Sequence, residues 1–101
     1  MTKGEHMVVG ILKLQFRLFG VASLKEKRKI IKRLIHRIQT QFQASVAEVG
    51  LNEIHQSAEI GVALVGNEGR QINSRLDKMV DTIEGWGLAV ISDSEMEIIH
   101  L

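Results

Sequence analysis

The stretch LKLQFRLFGVASLKEKRKIIKRLIHRI (residues 12–38) changes its hydrophobic period once, at Gly20, and that change decides the fold. Before the glycine, Leu12, Leu14, Phe16 and Leu18 alternate with Lys13, Gln15 and Arg17. Period two sends successive side chains to opposite faces, so Met7 to Phe19 reads as a half-buried strand. After the glycine, Ser23-Leu24-Lys25-Glu26 is a capping box. The serine hydroxyl takes an orphan backbone N–H, and the glutamate is expected to reach back to the serine N–H. A helix then runs to about Gln41, with Leu24, Ile31, Leu34, Ile35, Ile38 and Phe42 on one face.

Working outward, Ala44 to Val49 reads as a short second strand and Gly50 to Ser57 as a polar turn, with room for a helical turn at Leu51 to His55. Ala58 to Val65 is a third strand, with Ile60, Val62 and Leu64 on one face. Asn67 is the expected N-cap of a second helix whose stripe is Ile72, Leu76, Met79, Val80 and Ile83. Gly85 and Gly87 bracket Trp86, an expected lid on the core, and stop that helix. Leu88 to Ile99 is a last strand, with a break expected near Ser92 to Ser94. Residues 1–6 are polar, lack periodicity and read as a disordered leader, leaving residues 7–101 as one domain. The order β-α-β-β-α-β with right-handed crossovers predicts an α+β, ferredoxin-like split βαβ: a four-stranded antiparallel sheet with both helices on one face and the other face open.

Composition narrows the function classes. Hydrophobic residues make up 45% of 101, enough for one core. Cysteine is absent, which removes disulfides, thiol nucleophiles and cysteine-ligated metals and fits a reducing cytoplasm. No apolar run approaches the roughly 20 residues of a membrane span. The first ten residues lack the pattern of a signal peptide, so none is expected.

The net charge of +1 conceals segregation. Arg17 to Arg37 holds eight basic residues and one acidic residue. Projected at 100° per residue, Lys25, Lys29, Lys32 and His36 form one stripe, flanked by Arg33 and Arg37. Lys27 and Arg28 fall near the edges of the apolar face, where their stems are expected on the core rim and their heads in water. A solvated helix face is the plain reading of such lysines. Two observations go beyond it. Acidic partners at i±4 are nearly absent. The cations also crowd the N-terminal half, where the helix dipole disfavours each by about 0.3–1 kcal/mol. Cations around free helix N–H groups suit an anion such as a nucleic-acid phosphate.

At these residues the chain resembles a known family. Met7-Val8-Val9-Gly10-Ile11-Leu12, Ser23-Leu24-Lys25-Glu26-Lys27-Arg28, Ser45-Val46-Ala47-Glu48-Val49 and Ile60-Gly61-Val62-Ala63 are similar to the YlxP-like bacterial family, domain of unknown function 503. The Ser23–Arg28 segment is the most specific of these. The resemblance implies a ferredoxin-like fold and, because genes of the family often lie beside those of transcription and translation factors, a cytoplasmic role near RNA or the ribosome. It implies no catalytic residues, since no activity is known for the family. The loop residues Gly50-Leu51-Asn52 depart from the family pattern.

Stacking of RNA bases on an open sheet needs aromatics there. The outward positions are Val9, Ile11, Lys13, Gln15 and Arg17 on the first strand and Glu59, Gly61, Ala63 and Val65 on the third, none of them aromatic. Val9, Ile11, Ala63 and Val65, with Gly61 allowing close approach, instead predict an apolar patch for a homo-oligomer interface. His6, His36, His55 and His100 have no metal-ligand spacing, and no metal or cofactor is expected. His55 near Glu53 and Glu48 is the one acid–base grouping, and a solvated loop histidine accounts for it. Asp93, Glu95 and Glu97 fit the charge pattern of a protected edge strand. Gly66-Asn67-Glu68-Gly69-Arg70 lacks the lysine of a phosphate loop.

The sequence therefore predicts a small, non-enzymatic, cytoplasmic RNA- or ribosome-associated protein, with Arg17, Ser23, Lys25, Lys27, Arg28, Lys29, Lys32 and Arg33 on phosphates. The alternatives are an oligomeric protein–protein module, its basic helix docking an acidic partner, and an enzyme acting on a phosphorylated small molecule. The last lacks the glycine-rich anion loop that acylphosphatases use.

Overall fold

The computed structural model describes residues 6–101. The expected leader over residues 1–6 lies outside the described residues apart from His6, which is exposed. The elements are β1 (Val8–Arg17), α1 (Leu24–Phe42), β2 (Ser45–Gly50), β3 (Ser57–Gly66), α2 (Gly69–Trp86) and β4 (Val90–His100). They form a four-stranded sheet in the order β2-β3-β1-β4 with every neighbour antiparallel, the ferredoxin-like arrangement.

The period-two pattern of β1 sets the layers. Leu12, Leu14 and Phe16 are fully buried, while Ile11, Lys13 and Arg17 are exposed. On β3, Ala58, Ile60, Val62 and Leu64 turn to the same core. Both helices bury their stripes there: Ile31, Leu34 and Ile38 from α1, and Ile72, Leu76, Met79 and Ile83 from α2. Taking a side chain of this size out of water stabilises the fold by roughly 1.5–3 kcal/mol.

Gly10 decides how closely α2 sits on the sheet. A Cβ there would stand 2.3 Å from Ile72 Cγ2 and 2.9 Å from Leu76 Cδ1. Only a bare α-carbon lets these two residues rest directly on β1.

Several boundaries differ from expectation for local reasons. The Leu18 N–H still bonds the Gln56 carbonyl at 2.9 Å, but Gly20, at φ +75°, then turns the chain, so β1 stops short of Phe19. No helical turn forms between Leu51 and His55; the segment is built of turns, with the Ile54 N–H bonded to the Leu51 carbonyl at 3.1 Å. Glu68, rather than Asn67, occupies the N-cap of α2 and makes no side-chain cap bond. The expected break near Ser92 is a register shift within β4: Gln15 pairs with Asp93 and Phe16 with Ile91. The extra residue, Ser92, bonds the Gln15 carbonyl through its hydroxyl at 3.1 Å.

Candidate nucleic-acid interface on the first helix

The start of α1 is built by its own side chains. The Glu26 N–H donates to Ser23 Oγ at 3.2 Å. The Glu26 carboxylate reaches past Ser23 and accepts the Ala22 N–H at 2.9 Å, one residue earlier than the standard capping box. This revises the expected anion site. Of the free N–H groups of the first turn, that of Glu26 is taken by the cap, and a carboxylate stands beside the rest. Ser23 is accounted for as a cap rather than as a phosphate ligand.

Past the cap, Lys25, Arg28, Lys29, Lys32, Arg33, His36 and Arg37 are all exposed. Lys25 to His36 is a rise of eleven steps, about 16 Å along the axis at 1.5 Å per residue. Among the described residues, the ion pairs are Lys13–Glu95 and Lys27–Glu48. Lys25, Arg28, Lys29, Lys32 and Arg33 therefore keep their charge for solvent or a ligand. Arg37 lies over the Trp86 ring at 4.5 Å, and Trp86 in turn packs at 6.5 Å from Phe42. That ties one flank of the stripe to α2 and makes Trp86 the half-buried lid that was expected.

Lys27 departs from its expected role. Its side chain is 1% exposed, so its head does not reach water. The ammonium donates to the Leu51 carbonyl at 2.5 Å and lies 3.2 Å from Glu48 Oε2. That oxygen accepts no well-aligned hydrogen bond, so the contact with Glu48 is an ion pair by proximity and the directed bond goes to Leu51. Lys27 binds α1 to the β2–β3 hairpin and is not available to a phosphate. Sequence reading missed this pairing. Its signal was present: Glu48 follows Val46 by two residues on the inward side of β2, opposite a helix edge carrying Lys27.

Arg17 is exposed at the end of β1, outside the helix stripe. Next to it stands Phe19, 72% exposed, a residue to which the sequence assigned no role beyond ending the strand. A phenylalanine one position past a buried Leu18 and directly before a turning glycine was the available signal.

The open sheet face holds the expected patch with one change. Val9 pairs with Val65, and Ile11 with Ala63. Ile11 and Val65 are exposed, while Val9 and Ala63 are half-buried. Gly61 does not offer bare backbone to a partner. Val49 alternates with the inward Val46 and Glu48, so it falls on this face with Ser45 and Ala47, and its methyl lies 3.0 Å from where a Gly61 Cβ would be. Val49 covers Gly61 and takes its place on the surface. The far side of the face is acidic, with Glu95 opposite Lys13 and Glu97 opposite Ile11.

Among the described residues, no group of three or more His, Cys, Asp or Glu side chains is placed to hold a metal. No described helix is long and apolar enough to cross a membrane. His55 is exposed, while Glu48 is engaged with Lys27 and is thereby withdrawn from the acid–base grouping read from the loop.

Comparison with known proteins agrees with the fold and with the resemblance. The chain is 28% identical over 79 residues to the uncharacterised protein YlxP of Bacillus subtilis (strain 168), covering 78% of this chain and 86% of that one. Among solved structures it is similar to a dimeric ferredoxin-like protein from an uncultured marine organism, with a TM-score of 0.51 and 9% identity over 99% of this chain and 91% of the other. It is also similar to a nipsnap family protein of unknown function from Agrobacterium tumefaciens, with a TM-score of 0.50 and 16% identity over 95% and 88% of the two chains. Identities this low speak to fold alone. The family model described as a protein of unknown function, DUF503, matches residues 9–96, and the chain belongs to that family.

Proposed function

We propose that the protein is a small cytoplasmic RNA- or ribosome-associated binding protein without catalytic activity, which grips phosphates through the exposed face of α1. The observation that carries this reading is the set Lys25, Arg28, Lys29, Lys32 and Arg33, exposed on one helix and free of ion pairs among the described residues. Cations left without acidic partners repel one another, and a polyanion relieves that repulsion by releasing its own counterions. The test is binding of a labelled RNA to the full chain and to the variant K25E/K29E/K32E. The reading expects salt-sensitive binding that the triple substitution abolishes; unaltered affinity in that variant would overturn it.

A second reading concerns self-association. Val9, Ile11, Ala63 and Val65, joined by Val49, form an apolar strip on a sheet face that no helix covers. Burial against a second copy suits such a strip. Sedimentation of the wild type and of the Ile11→Lys and Val65→Lys variants tests it. A dimer that both variants dissociate supports the reading, and a wild type that sediments as a monomer sinks it.

A further inference from the structure

Resting on the RNA reading above, we infer that Phe19 and Arg17 form a stacking site for an unpaired base, so that the RNA bound is single-stranded or looped rather than continuous duplex. The chain has three phenylalanines and one tryptophan. Phe16 is wholly buried, and Phe42 and Trp86 pack against each other. Phe19 alone among them stands out in solvent, at 72% exposure.

A loose loop does not explain that exposure. Leu18 before it is 3% exposed and held to the Gln56 carbonyl at 2.9 Å. Gly20 after it turns the chain at φ +75°, and Val21 is again buried at 5%. The backbone that carries the ring is anchored on both sides, which limits the ordering entropy that this segment loses on binding.

The surroundings point to a base rather than to an apolar side chain. Two hollows adjoin the ring. One, of about 320 Å³, lies toward Val90 and Glu84. The other, of about 270 Å³, lies toward Ile54 and Gln56. Arg17 lines both, and among the described residues it makes no ion pair. An aromatic face beside an unpaired guanidinium matches a nucleotide twice over, the ring for the base and the cation for its phosphate. A hydrophobic peptide would leave that guanidinium unmatched. The basic stripe begins six residues further on, at Lys25, at most about 22 Å away along the chain and within reach of a strand of a few nucleotides. Duplex RNA, its bases already stacked, offers nothing for Phe19 to hold.

The experiment is fluorescence anisotropy of a labelled mixed-sequence 12-nucleotide RNA, single-stranded and as a blunt duplex. It uses the full chain as wild type, Phe19→Ala, Phe19→Tyr and K25E/K29E/K32E, with circular dichroism of each. The site predicts tighter binding of the single strand and a loss of roughly tenfold on that strand alone in Phe19→Ala, as expected for one stacked base. Phe19→Tyr keeps the affinity, and the salt dependence of Phe19→Ala matches wild type. If Phe19→Ala binds single strands as wild type does while the lysine variant fails, the stacking site is wrong and the phosphate grip survives. If Phe19→Ala weakens both RNAs equally, the ring is not a stacking platform. If wild type binds neither RNA, both readings fall together.

Discussion

Lys27 and Glu48 face each other between α1 and β2, 3.2 Å apart, with the lysine side chain 1% exposed and the glutamate 21% exposed. The same ammonium bonds the Leu51 carbonyl, so one side chain joins a helix, a strand and the loop beyond it. Breaking a buried pair from one side leaves the other charge uncompensated, which costs about 3–5 kcal/mol in a dry interior. Glu48 retains some water, so Lys27→Ala is expected to cost about 2–4 kcal/mol in urea unfolding. Lys27→Met combined with Glu48→Leu removes both charges, and most of that loss is expected to return. The contribution is thus in pairing and placement rather than in net attraction.

The salt dependence of RNA binding separates the buried cation from the exposed ones. Five free cations on α1, of which about four meet phosphates at once, give a slope of about −3 in log affinity against log salt. Lys29→Ala is expected to flatten that slope by about 0.7. Lys27→Met is expected to leave it unchanged, since its ammonium already bonds Leu51. The titration is read on proteins that remain folded by circular dichroism.

Ser23 gives the complementary outcome. Its hydroxyl oxygen holds the Glu26 N–H, and loss of such a cap costs about 1 kcal/mol. Ser23→Ala should lower the denaturation midpoint by that amount while RNA affinity stays at the wild-type value. Ser23→Asp, an equally good cap, should restore stability.

Gly10→Ala tests the seating of α2. The new methyl would meet Ile72 Cγ2, a branched group close to its own backbone that cannot swing aside. Overpacking of this kind costs about 1–3 kcal/mol. Truncating Ile72 to Val does not remove the Cγ2 contact, so it should not rescue the alanine variant. Ile72→Ala in the Gly10→Ala background should recover part of the stability, as a double-mutant cycle would register.

Most of the architecture was legible because local pattern and tertiary burial agree. The alternation from Leu12 to Leu18 and the Ser23 cap place β1 and α1 within a few residues of where they stand. What escaped depends on which element arrives from elsewhere. Helical projection puts Lys27 at the edge of the apolar face, where a lysine either reaches water or meets a buried partner. Only the pairing of β2 with β3 brings Glu48 and Leu51 to it. Val49 needed only the same period-two counting carried onto β2, where it falls with Ser45 and Ala47 on the open face. In the candidate site, the exposed stripe on α1 was readable from charge alone. Lys27 carries the same group as its neighbours yet serves the fold, and no spacing rule separates it from them, whereas the Ser-x-x-Glu spacing already marked Ser23 as a cap.

The Leu51 carbonyl, shared by the Lys27 ammonium and the Ile54 N–H, fixes where the chain will accept foreign sequence. Leu51 sits at φ +59°, and its carbonyl must keep its height above α1. Residues inserted between Glu48 and Leu51 would displace the acceptor and strand a buried cation. Those inserted among the exposed residues Asn52 to His55 give up at most the Ile54 turn bond and lengthen the tip, where closing a longer loop costs little. The hairpin is pinned at its root and permissive at its crown, which makes the crown the place to graft a fluorophore tag or an affinity peptide without disturbing the helix.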